Sequence, residues 1–256
     1  MTTVSEEFGA VCAALNGPQT TPGVAHVTQR LAVACAEVLP VSGAGITVFS
    51  PSGIRIPMGA SSLEVTRAER LEFTVGAGPC LRAFRVGSPV RAPGAVLAMK
   101  WPAFYRLLLH GTKFRSVTSV PLIDGGTVLG TLDLYFVGCR DLSTAGLAHT
   151  VDVSRTISTA LLQAGVVPIP DGTERFLTSA PVTSRNWVFV ATAHVRELTG
   201  GTVEQALETL RRQAAATDRT IDDVACDVVT RRLLPSHRGP PDGGSSGIPH
   251  WRVVTG

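Results

Sequence analysis

The chain has 256 residues, 44% of them hydrophobic and 17% charged, a length for one large or two modest domains with an ordinary globular core. A net charge of +3 excludes a coat for polyanions and lends only weak support to nucleic-acid binding. Five scattered cysteines without a CxxC pair exclude a standard zinc finger and suit a reducing compartment. No uncharged run approaches the roughly 20 apolar residues that span a bilayer, and MTTVSEEF lacks the pattern of a signal peptide. A cytoplasmic location without membrane contact is expected.

In chain order, Thr3 to Leu15 reads as a helix closed by Asn16-Gly17, and Val24 to Leu39 as a second helix ending at Pro40. The period then changes to two. Ala44 to Ser50 reads as a strand, Pro51-Ser52-Gly53 as a turn and Ile54 to Ala60 as the returning strand. A charged helix follows over Ser62 to Phe73, marked by Leu63, Arg67, Arg70 and Leu71. The loop Gly76-Ala77-Gly78-Pro79-Cys80 feeds a helix with Pro in its first turn. A short strand is expected around Pro89 to Arg91 and a helix over Trp101 to His110. Phe114 to Ile123, the turn Asp124-Gly125-Gly126 and Thr127 to Val137 form the clearest hairpin, and Leu142 to Gln163 a long closing helix. This order predicts an α+β sensor architecture, an antiparallel sheet with helices on one face.

Gly165 to Pro181, with three prolines, reads as a linker. Three short amphipathic helices are then expected. The first, Ser184 to Leu198, carries Trp187, Val188, Ala191, Val195 and Leu198, and Gly200-Gly201 ends it. The second places Val203, Ala206, Leu207, Leu210 and Ala214 on one face. The third does so with Ile221, Val224, Ala225, Val228, Val229 and Leu233. Thr202 and Thr220 stand three residues before Gln205 and Asp223, the spacing of a capping box. From Pro235 onward the composition predicts a disordered tail.

No catalytic constellation is legible, so no enzymatic activity, metal or cofactor is expected. The six histidines show no HxxxH or HExxH spacing, and Gly76-x-Gly78 is not continued into a phosphate loop. Cys80 reads as a small buried residue, with a redox-sensing thiol at a helix N-terminus as the alternative. Over the three helices seven arginines are matched by seven acids, so any RNA surface must arise from segregated charge. Arg211 and Arg212 lie off the apolar face of the second helix, with His194, Arg196 and Arg219 within reach from the first helix and the following turn. Guanidinium groups suit phosphates and unpaired bases. A solvated face laced with i to i+4 ion pairs is the competing reading, and Arg231 and Arg232 also complement a helix dipole.

Two resemblances extend this reading. Gly78-Pro79-Cys80, Trp101-Pro102, Pro121-Leu122 and Gly130-Thr131-Leu132-Asp133-Leu134, within Val24 to Leu162, resemble the GAF domains of actinobacterial-type GAF and ANTAR regulators. Ala206, Leu210-Arg211, Ala214, Arg219 and Val224-Ala225 resemble the C-terminal half of an ANTAR domain, an RNA-binding three-helix module of transcription antitermination regulators. The resemblance implies a GAF-like sensor over residues 1–164, a linker over 165–182, an all-α ANTAR-like domain over 183–234 and a tail over 235–256. It implies an antiterminator that holds stem-loops of nascent RNA, as a homodimer built on the N-terminal and Leu142 to Gln163 helices, with Leu147, Val151 and Ile157 facing the partner. In a GAF-like fold a small ligand would lie against Phe49, Cys80, Trp101, Phe104, Tyr105 and Asp133, positions that serve equally as plain core. A protein-contact sensor whose helices only dock or dimerise is the alternative.

Overall fold

Alternation along two long strands sets the architecture of the computed structural model. β4 (Phe114–Asp124) and β5 (Thr127–Val137) form the expected hairpin, with Asp124 opposite Thr127. Gly125 and Gly126 turn it at φ 52° and 84°, left-handed conformations that a two-residue hairpin loop requires and glycine adopts without cost. With β1 (Gly43–Phe49), β2 (Arg55–Ala60) and β3 (Val90–Ala92) they form a five-stranded antiparallel sheet in the order β2-β1-β5-β4-β3. The structure describes residues 3–15, 24–49, 55–138, 141–165, 184–230, 233–236 and 250–253.

Even-numbered positions of the central strands, Ala44, Ile46, Val48, Leu132, Leu134 and Phe136, face a core capped by α1 (Val4–Ala14), α2 (Val24–Val38) and α7 (Thr144–Gln163). Odd-numbered positions face the opposite way, towards α3 (Leu63–Val75), α4 (Pro79–Val86), α5 (Gly94–Lys100) and α6 (Pro102–Gly111). Helices therefore cover both faces, not one as the element order suggested. The polar odd positions Thr131 and Asp133 resemble a wet face in sequence, but both are fully buried, and all of β1 is buried as well. The short helix α5 has no side-chain cap, which left no signal for it in the sequence.

α3 turns a different face inward than its leucines indicate. Leu63 is 89% exposed, while Val65, Ala68, Glu69, Glu72 and Phe73 are buried at spacings of three and four. Ser62 caps the helix, and Gly76 ends it at φ 71°.

The chain divides into two compact units, within Met1–Pro181 and Val182–Gly256. The second holds α8 (Ser184–Thr199), α9 (Val203–Ala216) and α10 (Ile221–Val229), with capping boxes at Thr202/Gln205 and Thr220/Asp223. Val188, Ala191, Val195, Leu210, Ala214, Val224 and Ala225 are buried in it. The third helix stops at Val229, short of Leu233. Leu233 instead opens β6 (Leu233–Ser236), which pairs antiparallel with β7 (His250–Val253), Leu233 opposite Val253 and Ser236 opposite His250. The region expected to be a disordered tail thus contributes a hairpin, and the unit is not all helical. Pro235, which cannot continue a helix, stands in β6. Arg231, Arg232 and most of the linker lie outside the described residues. No helix among the described residues is long and apolar enough to cross a membrane.

Ile157, expected on a partner-facing stripe, is fully buried in the unit's own core, and Leu147 packs partly buried against the same core. Ile157→Ala should therefore cost about 2–5 kcal/mol in urea unfolding, while light scattering shows an unchanged oligomeric state.

Candidate functional site: a buried ionic cluster

Between the sheet and the helices α3 and α4 lies a group of ionisable side chains closed off from water. Arg55, the first residue of β2, is 6% exposed; Glu69 and Glu72 of α3 are 1% and 2% exposed, and Asp133 of β5 is 0% exposed. The i, i+3 spacing of the two glutamates puts both on the inward face of α3. Close approach of the backbones makes room for them. A Cβ on Gly45 would come within 2.7 Å of Glu69 Oε1, and one on Gly78 would collide with the Glu72 carboxyl.

Arg55 is the hub. Its Nη2 donates to Glu69 Oε2, its Nη1 to the Glu69 carbonyl at 2.8 Å, and its Nε to Cys80 Sγ at 3.1 Å. Glu69 also accepts from Thr47 Oγ1 at 3.0 Å and from the Tyr135 hydroxyl at 2.5 Å. Glu72 Oε1 accepts from the Cys80 amide at 3.0 Å, at the start of α4. Thr131 links Cys80 Sγ, 3.0 Å from its hydroxyl, to Asp133 Oδ2, which accepts from that hydroxyl at 3.2 Å. Arg55 Nη2 lies 3.8 Å from both Glu72 Oε2 and Asp133 Oδ2, beyond hydrogen-bond range. Glu72 Oε2 and Asp133 Oδ1 are buried with no hydrogen-bond partner.

Burial governs the protonation of the group. It pushes the Glu72 carboxyl up to about 8, against the pull of Arg55 and with the charges of Asp133 and Glu69 adding to the rise. Burial, followed by Glu69, lifts Asp133 to about 6. Burial also raises the Cys80 thiol well above its ordinary range. Cys80 is thus a neutral thiol inside the protein, without the thiolate character that redox sensing at a helix N-terminus needs. Burial opposes the charge on Arg55, but the acids around it more than compensate, so the guanidinium stays charged. One fixed cation faces three carboxyls, an arrangement suited to holding a proton.

The GAF domain family model matches residues 24–161, a little over half of the chain and the whole of this site. The chain belongs to the GAF domain family. The fold is similar to that of the GAF domain of a phosphoenolpyruvate-protein phosphotransferase from Coxiella burnetii, at 15% identity and TM-score 0.50, over 64% of this chain and 95% of that one. Further similar structures are a GAF domain from an Acinetobacter phosphoenolpyruvate-protein phosphotransferase (12% identity, TM-score 0.48, 65% and 98% covered) and the free methionine-R-sulfoxide reductase of Neisseria meningitidis (14%, 0.48, 64% and 90%). No curated protein matches the sequence.

Within the GAF domain the residues expected to line one ligand pocket separate into three places. Cys80 and Asp133 meet in the ionic cluster through Thr131. Phe49 stacks on Phe84 of α4, with ring centroids 3.8 Å apart and planes 11° from parallel. Phe104 belongs to an apolar cluster with Leu97, Leu108 and Val117, and Trp101 and Tyr105 pack partly buried at its margin. Sequence reasoning missed Arg55, Glu69, Glu72 and Tyr135. The available signals were two acids in phase with Val65, Ala68 and Phe73 on α3, and polar residues alternating with leucines along β5. An open groove of about 510 Å³ lies elsewhere in the domain, lined by Val120, Pro121, Val151 and Arg155 among others.

In the second unit, His194 and Arg196 of α8 and Arg212 of α9 are exposed, and Arg211 is half-buried. Arg219 is committed to α10, its Nη1 donating to Asp227 Oδ2 at 2.7 Å and its Nη2 to the Asp223 carbonyl at 3.2 Å.

Arg55→Met should cost the GAF domain about 3–5 kcal/mol at pH 7.5, because it strands buried carboxyls without their cation. The loss should shrink at pH 5, below the value of about 6 to which Asp133 is lifted; urea unfolding at the two pH values measures both.

Proposed function

We propose that this chain is a non-enzymatic transcription regulator of the cytoplasm whose GAF domain senses a signal and whose three C-terminal helices bind structured RNA. The observation that carries this reading is the exposure of His194, Arg196 and Arg212 on helices whose other faces are buried against one another, with Glu197, Glu204 and Glu208 exposed on the same two helices. Together with Arg211 they offer guanidinium and imidazole groups to the phosphates and splayed bases of an RNA loop. Arg219 serves in this reading as a clasp on α10. The resemblance of Ala206 to Leu233 to the ANTAR module supplies the mode of action. A homodimer holds nascent stem-loops so that a competing terminator hairpin does not form, and about 1.4 kcal/mol of differential binding shifts such a competition tenfold.

The sensor input in this reading is an apolar or planar metabolite bound by the GAF domain. A metabolite panel in which no compound raises the melting temperature would remove that part. A docking module for another protein is the second reading, favoured by Val190, an apolar residue 45% exposed on α8.

Binding of the full chain to a pool of structured RNAs at two salt concentrations tests the proposal. We expect salt-sensitive binding that weakens at least tenfold in an Arg196→Ala, Arg212→Ala variant, whereas Arg219→Ala should act mainly on stability, by about 0.5–1 kcal/mol. A folded chain that binds none of the pool at low salt would transfer the helices to the docking role.

A further inference from the structure

The ionic cluster contains more acid than its one cation can balance. Glu69 takes hydrogen bonds from Arg55, Thr47 and Tyr135, and so is the carboxyl that the guanidinium serves directly. Glu72 and Asp133 flank the same guanidinium at 3.8 Å, each with an oxygen that bonds to nothing. A carboxylate in a dry interior needs a cation or several donors to remain charged. Asp133 has the Thr131 hydroxyl, with the Ser119 hydroxyl and the Cys80 thiol also beside it, and Glu72 has the Cys80 amide. The elements packed here contribute Arg55 from β2, Glu69 and Glu72 from α3, Cys80 from α4, and Asp133 and Tyr135 from β5; β1 and β4 contribute the uncharged Thr47 and Ser119. Cys80 and Tyr135 offer no second positive charge.

We propose that this interior is a proton-operated switch, in which α3 and the start of α4 stay packed on the sheet while Glu72 is protonated and loosen when it ionises. Geometry makes Glu72 the moving part. Its side chain crosses the α3 to α4 connection to reach the first turn of α4, and Gly78 in that connection leaves no space between backbone and carboxyl. A third negative charge beside Arg55 would repel Glu69 and Asp133, which crowd the same guanidinium, and separation of α3 from the sheet would admit the water that screens it.

The pH at which this acts follows from linkage. Glu72 is lifted from an ordinary 4.5 to about 8 and Asp133 from 3.8 to about 6, so between those limits the folded state holds more protons than the unfolded chain. Stability is then full below the ordinary values and is lost as pH rises, through about 6 for Asp133 and about 8 for Glu72. Glu72 thus titrates on the alkaline side of neutrality, where a small rise in pH changes its charge. This inference concerns the GAF domain alone, and its readouts involve no RNA.

The test combines carboxyl 13C NMR of the glutamate-labelled full chain, titrated from pH 4 to 9, with urea unfolding of wild type and Glu72→Gln over pH 5 to 9. We expect one glutamate carboxyl to titrate above pH 7. The unfolding constant of wild type should rise relative to that of the variant by up to tenfold per pH unit between about pH 5 and 8, the slope of one linked proton. All glutamates titrating below pH 6, or pH profiles that run parallel in wild type and variant, would overturn the switch. Should Glu72→Gln fail to fold, the wild-type titration decides alone.

Discussion

The ion pair between Arg55 and Glu69 is the constraint to which the sensor's interior is fitted. Neither partner reaches water, and the desolvation of two such charges costs about as much as their attraction returns. The pair is tolerable because the remaining hydrogen-bonding capacity is filled by the Glu69 carbonyl, Cys80, Thr47 and Tyr135. What it contributes is position: it ties the start of β2 to the middle of α3, and through Tyr135 and Thr47 it ties α3 to the two central strands.

The surroundings follow from that tie. α3 approaches β1 closely enough that Gly43 and Gly45 are glycines for want of space, and Val65 and Glu69 occupy the volume a side chain would have taken. On the other face of the same strands, Ile46, Leu132 and Leu134 meet α2 and α7 in an apolar core. One face is held by burial of hydrocarbon alone, the other by the apolar cluster around Phe104 together with a polar network whose members are individually costly and jointly specific. A domain with its charges on one side of the sheet responds to changes in those charges chiefly through α3 and α4.

The second unit rests on simpler physics. Two capping boxes start α9 and α10, small residues such as Ala191, Ala206, Ala214 and Ala225 are buried in its core, and Arg219 clasps α10 through Asp227. Among its acids Asp223 enters a cap and Asp227 the clasp, while Glu197, Glu204 and Glu208 stand exposed on α8 and α9 beside the exposed cations.

Local signals decided much of this protein in advance. Capping threonines, the Asp124-Gly125-Gly126-Thr127 turn and the alternation along β4 and β5 placed most of the elements, because each depends on neighbours close in sequence. The resemblance at Gly78-Pro79-Cys80 and Gly130 to Leu134 likewise anticipated the sensor family. Only the tertiary structure decided where the charges lie. Arg55, Glu69 and Asp133 come from β2, α3 and β5, and nothing in one segment shows that another will bring the complementary charge to it. For the same reason Asp133 could be read as lining an apolar pocket and Ile157 as facing a partner. A buried acid differs from an exposed one, and a core isoleucine from an interface isoleucine, only in what the rest of the chain places against it.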